Sequence, residues 1–114
     1  MADLEELMAL NGALAAFRYS STGEVLEQSV REGADFDARV LDLVAHMCVA
    51  NLAIATLQAR GWEAMTGMTG FHPVQQFGLL GLDWTVVVDG ERGVILPTGQ
   101  ADLDGACARL GSGA

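Results

Sequence analysis

The chain has 114 residues, fifteen of them acidic and six arginine, with no lysine, for a formal charge of −9. That sign opposes a phosphate backbone or an anionic membrane surface, so neither nucleic acid nor membrane insertion is expected. The missing lysine excludes lysine Schiff-base chemistry and any Walker-type phosphate loop.

A chain of this length forms one domain, here 1–114, which buries roughly two-thirds of its unfolded surface. The opening MADLEELMAL is acidic and lacks the basic region and long apolar core of a secretory signal, so a cytoplasmic location is expected. Asp3 caps a short helix with Glu6 three positions on, and Leu4, Leu7, Met8 and Leu10 form its apolar side. Asn11-Gly12 ends it. GALAAFRYS and EVLEQSVRE then read as two strands joined at Ser21-Thr22-Gly23. Glu24, Glu27, Glu32, Asp35 and Asp37 make no carboxylate pair and read as solvated positions.

A long helix is predicted from Asp35 to Arg60, capped by Asp35 or Asp37 and stopped by Gly61, about 37 Å in length. At 100° per residue it has two apolar sides. Val40, Leu43, Val44, Met47 and Ile54 form a broad one, while Leu41, Ala45, Cys48, Leu52, Ala55 and Ala59 form a second of mostly small residues. One sheet covers one side, so a partner helix is expected on the small-residue side. The uninterrupted apolar part, Leu43 to Leu57, is short for a membrane span and carries His46 and Asn51.

Next comes TGMTGFHPVQQFGLLGLDW, Thr66 to Trp84, with four glycines and His72. Pro73 biases His72 towards extended backbone, which places a third strand at Val74 to Leu82, apolar on both sides and without a charged residue from His72 to Leu82. Such an edge aggregates unless it is paired, and pairing with its own copy across a two-fold axis is the economical solution. The competing reading makes GMTGFH a ligand loop, although its spacing matches neither phosphate fingerprint. DWTVVVDGERGVILP supplies the last hairpin, Pro97 stops it, and Thr98 or Asp102 caps a final helix from Ala101 to Leu110, with a frayed tail at 111–114.

No catalytic constellation assembles from these residues. His46 and Cys48 point about 200° apart on a helix and cannot cooperate. His46 therefore reads as a polar-stripe residue and Cys48 as a small buried hydrophobe. A zinc site would have to gather His46, His72, Cys48 and Cys107 without any CxxC or HxxxH to pre-assemble it, so neither a metal nor a cofactor is expected. The small-molecule alternative is a sensor with a cleft near Met65–Pro73, its candidate ligand residues being His72, Thr69, Trp62 and Trp84.

The order of helix, two strands, long helix, three strands and short helix, with WEAMTGMTGFHP before the third strand, resembles the roadblock/dynein-light-chain family, a profilin-like fold, and in particular a prokaryotic branch of it. The resemblance implies an α+β (α/β) class with a five-stranded antiparallel sheet. It also implies a non-enzymatic homodimer that regulates or scaffolds small GTPases and multiprotein complexes. Carried over by position, it places Val74, Gln76, Phe77, Leu79 and Leu80 at a strand seam and Cys48, Leu52, Ala55 and Ala59 at a helix seam.

Overall fold

The computed structural model describes residues 4–111. Asp3, the expected first cap, and 112–114 of the expected frayed tail lie outside the described residues. The elements run α1 (Leu4–Met8), β1 (Ala15–Tyr19), β2 (Val25–Val30), α2 (Ala38–Thr66), β3 (Gln76–Leu80), β4 (Trp84–Asp89) and β5 (Arg92–Pro97). A 3-10 turn at Thr98–Gln100 leads into α3 (Leu103–Gly111). The five strands form one antiparallel sheet in the order β2-β1-β5-β4-β3, the predicted mixed α+β class.

Side-chain alternation along each strand divides the core between the two faces of this sheet. Ala15, Phe17 and Tyr19 of β1 point to one face with Val88 and Ile95, beneath Leu41, Ala45 and Cys48 of α2. Ala16 points to the other with Val87, Val94 and Leu96, against Leu7 of α1 and Ala106 and Leu110 of α3. Gly93 lies opposite Phe17 in the register, and a Cβ there would come within 2.6 Å of the Phe17 ring. Glycine at this position lets the ring lie over β5. Full burial of Phe17 contributes about 1.5–3 kcal/mol relative to leaving it exposed.

The Asp37 carboxylate caps α2 by accepting the Val40 N–H at 2.9 Å. The helix ends at Gly67, in the left-handed region at φ 72°, with its N–H bonded to Glu63 O at 2.9 Å. Gly61, the predicted stop, therefore lies inside the helix, which has 29 residues rather than about 25. An interior glycine costs about 1 kcal/mol relative to alanine. Tertiary contacts beyond Gly61 offset this, because Trp62 stacks on Phe71 at 6.4 Å and Glu63 binds the following loop. At this length α2 is long and apolar enough, by composition alone, to cross a membrane.

The two apolar sides of α2 are reversed from expectation. The small side, Leu41, Ala45 and Cys48, packs on the sheet, and Cys48 is 0% exposed. The broad side faces outward except for Val44, which is half-buried against the core; Leu43 is 63% exposed and Val40, Met47 and Ile54 are also exposed. Small residues let the helix backbone close on the sheet, where the Phe17 and Tyr19 rings fill the space between them. Of the predicted helix seam, Cys48 and Ala59 are thus buried within their own chain, and Leu52 and Ala55 are half-buried. The third strand is also shorter than the predicted Val74–Leu82. After Leu80 the chain turns back, with the Gly81 N–H donating to Trp84 O at 2.9 Å.

Candidate functional site

Three features outside the core stand out, beginning with the free edge of β3. One side of β3 pairs with β4, from Gln76 opposite Asp89 to Leu80 opposite Thr85, and among the described residues no strand covers the other. Phe77 packs against the α2-side core, Leu79 is half-buried and Leu80 is exposed. Gln76 belongs to the predicted seam, but its side chain is committed internally. Its amide donates to Asp89 Oδ2 and to Cys107 O, both at 2.8 Å, while Gln75 donates to Asp89 Oδ1 at 3.0 Å. Gln76 thus offers only backbone to a second strand. Val74, placed at the seam by sequence, lies half-buried in the entry loop ahead of β3.

The second feature is the outward side of α2. Val40, Leu43, Met47, Ala50, Ile54 and Leu57 are all exposed and follow one another three and four residues apart in alternation. That spacing is the seam of two helices packed at a shallow angle. The sequence carried the signal, but the competing small-residue side has a similar periodicity, and only the sheet contacts show which side is spent.

The third feature is the glycine loop. The backbone N–H groups of Gly70, Phe71 and His72 all donate to Glu63 Oε2, at 3.0, 3.0 and 3.1 Å. Three successive amides make an anion-binding nest, and the anion is this chain's own carboxylate. These bonds, that from His72 foremost, hold the Glu63 carboxyl below its usual range. The His72 ring accepts from Arg60 Nε at 3.3 Å. Thr69 is exposed and Trp62 lies against Phe71. Trp84 instead meets Phe36, just ahead of α2, edge-on at 5.1 Å, and Trp62 lies 24 residues after Ala38, about 36 Å along the helix. The four candidate ligand residues of the sensor reading therefore do not line one cleft. The nest was missed because Glu63 precedes the glycines and reads in sequence as one more solvated acid.

His46 is exposed and its Nδ1 lies 2.7 Å from Asp42 O. Burial pushes the Cys48 thiol up to about 12, and burial also raises Tyr19, whose hydroxyl donates to Gly90 O at 2.9 Å. Neither is prepared for nucleophilic chemistry at neutral pH.

No curated protein matches the sequence. Among solved structures, the chain is similar to a protein described as "MglB with tetrameric arrangement", with a TM-score of 0.71, 21% identity, and coverage of 94% of this chain and 78% of that one. It is also similar to the Roadblock/LC7 domain from Streptomyces avermitilis, with a TM-score of 0.68, 14% identity, and coverage of 96% and 86%. The gliding protein MglB from Thermus thermophilus follows, with a TM-score of 0.62, 24% identity, and coverage of 97% and 87%. These likenesses establish the roadblock/LC7 fold. The family model described as "Uncharacterized conserved protein (DUF2173)" matches residues 3–112, and the chain belongs to that family.

Proposed function

We propose that the protein is a cytoplasmic, non-catalytic homodimer that regulates or scaffolds other proteins, with a small GTPase or a multiprotein complex as its partner. The outward stripe of α2 carries this reading. Six apolar positions at helix-seam spacing face solvent on a domain whose core is already filled on both sides of the sheet. The open edge of β3 supports the same reading, because it offers a second copy a strand to pair with. The description of one similar structure as a tetrameric arrangement supports self-association as a property this fold permits. Partner class rests on the roadblock resemblance.

Sedimentation equilibrium tests it. The wild type is expected to be dimeric at roughly 50 μM, and Leu43→Glu with Ile54→Glu is expected to be monomeric with an unchanged circular dichroism spectrum. Both residues are exposed, so the substitutions leave the core intact. A monomeric wild type, or a variant that remains dimeric, would overturn the reading.

A further inference from the structure

At the end of the sheet where α2 begins, a second apolar surface lies apart from the α2 stripe. Leu82, in the turn between β3 and β4, is 99% exposed, and Trp84 beside it is 52% exposed. The Trp84 indole stands edge-on to the ring of Phe36 at 5.1 Å, which joins the turn to the segment ahead of α2. Three carboxylates flank these side chains in the chain: Asp83 lies between Leu82 and Trp84, and Asp35 and Asp37 stand on either side of Phe36. All three are exposed, and among the described residues none takes part in an ion pair.

We infer that this tip is a docking surface for a cationic, amphipathic segment of another protein, which sets its apolar side chains on Leu82 and an arginine or lysine on the Trp84 face between the carboxylates. An exposed indole attracts cations through its ring quadrupole, most strongly among the aromatic side chains, and adjacent carboxylates add to that attraction. Charge decides among the occupants. Nucleic acid and anionic lipid are repelled by the carboxylates. A second copy of this chain brings another net −9 and no lysine. Of its six arginines, Arg18 is paired with Glu27, Arg60 donates to His72, Arg92 is buried and Arg109 binds Glu6 O, which leaves Arg31 and Arg39, both exposed, against fifteen acids. The complement is a basic partner of different sequence, on a surface that begins two residues beyond Leu80 of the edge proposed for self-association.

The chain has two tryptophans, so Trp62→Phe leaves Trp84 as the sole indole, excited at wavelengths where Tyr19 does not absorb. The probe is a helical peptide with one leucine face and one arginine face, set against its leucine/glutamate counterpart. The arginine peptide is expected to shift Trp84 emission to shorter wavelength saturably, and the glutamate peptide to leave it unchanged. In that background Leu82→Ser, and separately Asp35→Asn with Asp83→Asn, are expected to weaken binding about tenfold. Glu24→Gln with Glu91→Gln removes the same charge from turns at the opposite end of the sheet and is expected to change affinity less than about twofold. Equal weakening by the two charge-neutral pairs would reduce the effect to general attraction and overturn the proposal. So would a response to the glutamate peptide, or an emission shift produced by concentrating the protein alone.

Discussion

The sheet has two edges, and they are built differently. The β2 edge carries Glu27, paired with Arg18 of β1 at 3.2 Å, and the register between the two strands shifts between Arg18 and Tyr19. Charge and irregular pairing are the usual means of blunting an edge strand. The β3 edge has neither. Its five residues pair with β4 without a shift, and no charged residue stands between His72 and Leu82. One edge is closed to further strands and the other left open, so association by strand addition has one direction available. The outward stripe of α2 gives a second copy somewhere to bury its helix at the same time.

That asymmetry disappears entirely if the sheet fails, and alkali is expected to produce this, the largest effect. Cys48 of α2 and Tyr19 of β1 lie together between the helix and the half of the sheet nearest β2. Burial raises both above their ordinary values of 9.0 and 10.0, Cys48 to about 12. The unfolded chain therefore releases protons that the folded one retains. The stability they contribute is fully present below pH 9 and is lost as pH rises towards 12. Circular dichroism across that window should show cooperative unfolding, and Tyr19→Phe with Cys48→Ala should flatten the dependence.

Next in size is an exchange of character between the edges. Leu80 on β3 is 64% exposed and Leu26 on β2 is 50% exposed, so lysine at either position leaves the monomer folded. Leu80→Lys places a charge at the proposed seam and should raise the dimer dissociation constant by about 100-fold, whereas Leu26→Lys should leave it within about twofold. Analytical ultracentrifugation of the two variants side by side distinguishes them. Equal effects would erase the distinction between the edges.

Much of this architecture was legible in the sequence because its elements are punctuated locally. Asp37 as a cap and the strand alternation around Phe17 and Val88 all act over a few residues. What was not legible depended on distant partners. Gly61 is a stop signal by local chemistry, yet the helix continues because Phe71 and the 70–72 amides hold Trp62 and Glu63. Two apolar sides of α2 were visible, but which one the sheet takes depends on how closely Phe17 and Tyr19 allow a helix to approach. The glycine loop depends on a distant partner in the same way: the acid that its amides bind lies one turn before the helix ends.

The smallest expected difference concerns what holds each edge strand in place. Gln76 ties β3 to buried Asp89 and to α3 through two 2.8 Å bonds. Gln76→Ala leaves one Asp89 oxygen and the Cys107 carbonyl without that donor, at a cost of about 1–3 kcal/mol by urea titration. Glu27→Gln breaks the exposed ion pair holding β2, where solvent already screens both charges, and should cost under about 0.5 kcal/mol. The open edge thus has the stronger internal anchor. An edge that must present a straight backbone to another chain has to be fixed from within, whereas one closed by charge needs no such fixing. A Gln76→Ala cost no larger than that of Glu27→Gln would show that β3 is held by its ladder alone.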